Sequence, residues 1–222
     1  MPNERLLVAA KLLQGHYSQV DLLAYRSGWA GLARFVLERM LSRKKFTAAW
    51  PELEPSWLLS VPEVSQANRS ALFELLNPHG VSATNVALLH RLACWWQGQL
   101  DSGVSPWDSS RSSLEAQWED LSAHDPIWIT RIFCVIGGLQ KFPLTRANWR
   151  VACRHNWISW HDEPSEAPTF FESGSNDSSY ELGRLAEWLI QVGDDYCSPK
   201  PKCAGCPLEP LLGPNGPCEP EA

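Results

Sequence analysis

The chain has 222 residues, 25 acidic against 19 basic side chains, a net charge of −6 and 44% hydrophobic residues. That length gives one large domain or two small ones, each with a real core. Before Lys11 the N-terminal residues hold no apolar run of signal-peptide or membrane-span length, so a cytoplasmic protein with no membrane partner is expected, nucleoid-associated if bacterial.

Apolar spacing is helical along almost the whole chain, with no clear period-2 alternation, so the expected fold class is all-α. Leu6, Leu7, Ala10 and Leu13 mark a first helix. Trp29, Leu32, Phe35, Val36 and Met40 mark a second, with Arg43, Lys44 and Lys45 read as a basic end that suits the helix dipole. Ser82 caps a third, whose face carries Val86, Leu89, Ala93 and Trp96 until Gly98 stops it. Further helices fit about 62–76, 112–122 and 181–192, the last ending at Gly193.

The middle of the chain is more specific. Asp125-Pro126 reads as an N-cap followed by proline at the first helical position. The helix it opens, from Ile127 to Ile136, is apolar nearly all round and belongs at the centre of a bundle. Thr145 caps the next, running from Arg146 to Trp157. The acidic, Ser-rich stretch 162–179 reads as an exposed loop.

Charge is segregated. Residues 1–50 carry eight basic side chains against three acidic ones, and 126–160 carry Arg131, Lys141, Arg146, Arg150 and Arg154 with no acid at all. A folded molecule can thus present a basic face despite its negative total.

Four of the seven cysteines fall in the last 26 residues: Cys197, Cys203, Cys206 and Cys218. Each thiolate needs only a turn to reach a common centre, whereas disulfides here would close only tiny loops, so an iron–sulfur cluster or a zinc ion outranks disulfides. The other three, Cys94, Cys134 and Cys153, sit in apolar helical stretches and read as buried thiols. Trp128, Trp149, Trp157 and Trp160 are read first as core rings, and His155 and His161 as structural or solvated. The two histidines also have the chemistry of a metal ligand or, with Asp162, of a base.

The run Trp188-Leu189-Ile190 through Gly193 to Tyr196-Cys197, then Lys200-Pro201-Lys202-Cys203-Ala204-Gly205-Cys206-Pro207-Leu208, resembles the endonuclease III group of helix-hairpin-helix DNA glycosylases. Trp149-Arg150-Val151 through Arg154 is similar to the helix that follows the family's catalytic aspartate, and 121–138 takes the place of the hairpin and its following helix. The resemblance implies a two-lobed helical fold: a six-helix domain over 24–139 and a cluster domain built from 1–23 and 140–222. It implies a structural 4Fe-4S cluster on Cys197, Cys203, Cys206 and Cys218, zinc being the alternative. It also implies DNA as partner and a monomer. The cysteines here are separated by five, two and eleven residues, where the family has six, two and five.

Departures from the family bear on chemistry. Its catalytic carboxylate falls at Thr145, and its Schiff-base lysine falls at Ile127. Lys141, the only lysine in 126–160, is the fallback nucleophile. The hairpin turn Ser122-Ala123-His124-Asp125-Pro126 has no glycine to turn backbone N–H groups toward a phosphate. DNA contact is expected from Arg43, Lys44, Lys45, Arg146 and Arg150. The leading expectation is an endonuclease III-like iron–sulfur DNA-binding protein without standard glycosylase or abasic-site lyase activity. The alternatives are a glycosylase with a non-standard site and a cluster-bearing interaction protein that binds no DNA. An open, aromatic-lined pocket at Thr145 would favour base binding, and a filled core there a scaffold.

Overall fold

The computed structural model describes residues 2–17, 22–26, 28–107, 110–173 and 181–220. Its helices are α1 Pro2–His16, α2 Leu22–Arg26, α3 Trp29–Met40, α4 Arg43–Leu53, α5 Val61–Gln66 and α6 Arg69–Leu76. They continue with α7 Ala83–Asp101, α8 Arg111–Ser122, α9 Pro126–Val135, α10 Arg146–Arg154, α11 Pro168–Glu172 and α12 Leu182–Asp195. No strand occurs among the described residues, so the fold is all-α, and no helix among them is long and apolar enough to cross a membrane.

The chain divides into two compact units, one of Asp21–Leu114 and one of Met1–Val20 with Glu115–Ala222. In this division the second boundary falls at 114/115. The reason is α9, which packs on α12 and belongs with the C-terminal half.

In the 21–114 unit, α7 is the central element, burying Val86, Leu88, Leu89, Leu92, Ala93 and Trp96 against α3, α5 and α6. Ser82 caps it by accepting the Asn85 N–H at 3.2 Å. The helix runs through Gly98 to Asp101, because one exposed glycine costs only about 1 kcal/mol against the rest of a well-packed helix. The segment 62–76 is two helices rather than one: the chain breaks at Ala67, and Asn68 restarts it by accepting the Ser70 N–H. Arg43, Lys44 and Lys45 are likewise displaced from their expected role. They open α4 behind the cap Ser42 instead of closing α3, which leaves three exposed cations at the helix end where the dipole is unfavourable to them.

In the other unit, α12 is the hub, packed against α10, α9 and α1. Two glycines permit the crossings. A Cβ at Gly183 would lie 2.7 Å from the Val135 Cα of α9, and one at Gly193 would lie 2.6 Å from the Ala147 Cβ of α10. Gly193 therefore serves helix packing and does not end α12, which continues to Asp195. Leu6, Leu13, Val151, Leu185 and Leu189 fill the core between these helices.

Asp125 caps α9 by accepting the Trp128 N–H, with Pro126 at the first helical position. Most of α9 is buried, but Ile127 is 49% exposed, so the helix is not apolar-packed all round. Its Arg131 reaches α12, where Nε donates to Glu187 Oε1 at 2.6 Å and Nη2 to Glu187 Oε2 at 3.0 Å. Within 162–179 the turns at 162–166 are exposed, yet α11 buries Phe171 face to face with Phe142, ring centroids 3.9 Å apart. The remainder of that stretch, 174–179, lies outside the described residues.

Candidate metal centre and the adjoining hollow

The C-terminal end of α12 fixes the first thiol. The Tyr196 and Cys197 N–H groups both donate to Val192 O at 2.9 Å, so Cys197 leaves the helix in one direction. The Lys202 N–H then returns to Tyr196 O at 2.8 Å, and a turn closed by the Cys206 N–H on Cys203 O, with Gly205 at φ 81°, sets the next two thiols.

Helix α10 presents two arginines to this loop. Arg150 Nε donates to Cys197 O at 2.9 Å and Nη2 to Gly193 O at 3.3 Å. Arg154, only 4% exposed, donates through Nη1 to Ser198 O at 2.6 Å and to Cys197 Sγ at 3.4 Å. Its Nη2 donates to Pro199 O at 3.0 Å, and its Nε pairs with Glu219 Oε1 at 3.0 Å. The spacing of Arg150 and Arg154, one turn apart in a stretch without acids, was the available signal that these cations must find acceptors elsewhere. The acceptors are main-chain carbonyls of the thiol loop, so Arg150 is tied to that loop.

Cys197, Cys203 and Cys206 line one hollow together with Arg154 and His155. Burial pushes the Cys203 and Cys206 thiols up, and the neighbouring thiols add to the shift, while the Leu208 and Glu209 N–H groups pull Cys206 back. A metal's positive charge at that place would offset the cost of ionising them. Among the described residues no three His, Cys, Asp or Glu side chains are drawn to single-ion spacing. The donor chemistry fits a metal group, with Arg154 available to balance thiolate charge. Cys218 itself does not line this hollow, though its neighbour Pro217 does. Cys218 is exposed and lines a separate one with Asn156, Trp160 and His161.

No protein-family model and no curated protein matches this chain.

A second, open hollow lies at the N-terminus of α10, lined by Leu144, Thr145, Arg146, Trp149, Arg150 and Pro164. Thr145 is here a capping residue. Its Oγ1 accepts the Asn148 N–H at 3.3 Å, and Asn148 Oδ1 accepts the Thr145 N–H at 2.7 Å. Trp149 contributes an aromatic wall and Arg146 is exposed at the rim.

The remaining expected residues are scattered. Lys141 lies with Nζ 5.3 Å from the Trp118 ring centroid and does not line the α10 hollow. Trp157 is buried in the core, Trp160 donates to Cys218 O, and Trp128 carries Arg131 over its ring. Asp162 accepts the Ser159 N–H at 2.7 Å, and His161 beside it is exposed. Arg43, Lys44 and Lys45 are exposed on the 21–114 unit. Cys134 and Cys153 are buried as expected, but Cys94 is exposed, because it lies on the outer face of α7, four residues from His90.

Proposed function

We propose that this chain is an iron–sulfur, DNA-binding protein of the endonuclease III type that lacks the standard glycosylase and abasic-site lyase chemistry. The observation that carries the DNA reading is the open hollow at the start of α10, with Trp149 on its wall and Arg146 at its rim. A helix N-terminus attracts phosphate, an arginine adds a point of charge, and an indole face stacks on an unpaired base. The hollow holds no carboxylate. Thr145 supplies only a neutral dipole where an oxocarbenium-like sugar needs negative charge, so the site suits binding of an extruded base over its excision.

The cluster reading rests on three thiols around one hollow, and the choice of iron over zinc rests on the resemblance of the cysteine run. Bound there, a 4Fe-4S group would cross-link a Pro-rich segment that forms no α-helix of its own among the described residues. Arg150 and Arg154 position that segment against α10, and so couple it to the helix that carries the Trp149 hollow.

The test is binding of duplexes with and without an abasic site, measured by fluorescence anisotropy at several salt concentrations. Stacking contributes about 1–3 kcal/mol per base. Trp149→Ala should therefore remove a preference of about 5- to 150-fold for the abasic duplex while leaving the salt dependence unchanged. Equal binding of both duplexes by the unaltered protein, or no binding at low salt, refutes the proposal.

A further inference from the structure

Three thiols leave a four-coordinate centre one donor short, and α10 ends in a residue suited to supply it. His155 follows the last turn of α10 at φ −88°, ψ 6°, is 8% exposed, and lines the same hollow as Cys197, Cys203 and Cys206. Its Nδ1 is buried without a hydrogen-bond partner. The Leu211 main chain also interacts with the ring. A ligating histidine characteristically donates its second ring N–H to a backbone carbonyl or carboxylate and ligates through the other nitrogen. An acceptor buried without a partner lowers stability unless something occupies it.

We infer that His155, through Nδ1, and not Cys218, is the fourth protein ligand of the metal centre held by Cys197, Cys203 and Cys206. This rests on the reading of that hollow as a metal centre. Cys218 is held the other way. Its N–H donates to Arg154 O at 2.9 Å and its carbonyl accepts Trp160 Nε1 at 3.1 Å, and the residue lines the hollow shared with Asn156 and Trp160. Exchange of one thiolate for a neutral imidazole makes the centre one charge less negative, which raises its reduction potential. The buried Arg154 guanidinium, at 3.4 Å from Cys197 Sγ, acts in the same direction.

The experiment uses the full-length protein as purified, its metal and sulfide content measured, and the reduced cluster studied by electron spin-echo envelope modulation, with low-temperature irradiation as reductant if dithionite fails. A nitrogen-14 coupling of imidazole type is expected in the unaltered protein and in Cys218→Ser, with iron content unchanged in the latter. It should vanish in His155→Cys, which offers a thiolate in place of the ring and retains iron. Cys203→Ser should lose iron. Absence of the coupling in the unaltered protein, or loss of iron in Cys218→Ser with His155→Ala spectroscopically unchanged, overturns the assignment. If the metal is zinc, the iron reading fails by itself. X-ray absorption then decides the ligand: three sulfurs and one nitrogen uphold His155, and four sulfurs overturn it. A protein that holds no stoichiometric metal refutes both readings.

Discussion

Removal of Glu187 isolates the one charge that α9 carries into the helical packing. Arg131 and Glu187 form a bidentate pair between α9 and α12, with side chains 12% and 4% exposed. Their mutual attraction mostly offsets the cost of taking both ions out of water, so the pair as a whole contributes little net stability. Loss of one partner is different, because it strands the other charge in a poorly solvated place. Glu187→Ala is therefore expected to cost about 3–5 kcal/mol. At roughly 2–4 °C per kcal/mol for a chain of this size, the midpoint of thermal unfolding should fall by about 6–20 °C. The Trp128 ring, 5.3 Å from the Arg131 guanidinium carbon, cushions the stranded cation and pulls the figure toward the lower end. Far-UV circular dichroism during heating and in urea measures the loss. The double variant Arg131→Met with Glu187→Leu removes both charges at similar volume and should unfold close to the unaltered protein. A Glu187→Ala variant within about 1 kcal/mol of the unaltered protein, or a double variant less stable than the single one, would refute the argument.

Other expectations follow from the same geometry. Lys44→Glu with Lys45→Glu reverses two exposed charges at the start of α4, and should flatten the salt dependence of DNA binding by about 0.9 in log–log slope for each phosphate no longer neutralised. An unchanged slope would remove these lysines from the interface. Borohydride should trap no adduct with abasic DNA, since Ile127 supplies no amine and Lys141 lies against Trp118 outside the α10 hollow; trapping that disappears in Lys141→Ala would overturn this. Native-state alkylation mapped by mass spectrometry should modify Cys94 well before Cys134 or Cys153, because burial pushes the latter two thiols up, Cys153 to about 12. The same shift gives a sign for stability: it is fully present while the unfolded-state thiols stay protonated, below pH 9, and declines as pH rises from there toward the folded-state values. Equal alkylation rates, or stability that rises with pH above 9, would count against the buried placement.

The all-helical class, the Ser82, Asp125 and Thr145 caps and the interior positions of α1, α3 and α7 were legible in the sequence because they depend on local spacing and short-range hydrogen bonds. Boundaries that depend on what packs nearby were not. Gly98 and Gly193 look like stops, yet neither ends its helix, and the value of Gly193 lies in Ala147, forty-six positions away on α10. The break at Ala67 and the opening of α4 by Arg43 to Lys45 were set by caps, Asn68 and Ser42, that compete with periodicity over a few residues. The cysteine run is a sequence motif, and Cys197, Cys203 and Cys206 line one hollow because turns of a few residues link them. The fourth donor is a different kind of problem. Cys218 follows Cys206 after an eleven-residue gap that any conformation could span, whereas His155 lines the hollow because it ends α10, whose arginines anchor the loop. Chain spacing fixes which donors exist within a turn of one another; only the packing of α10 on α12 decides which distant ones share a wall.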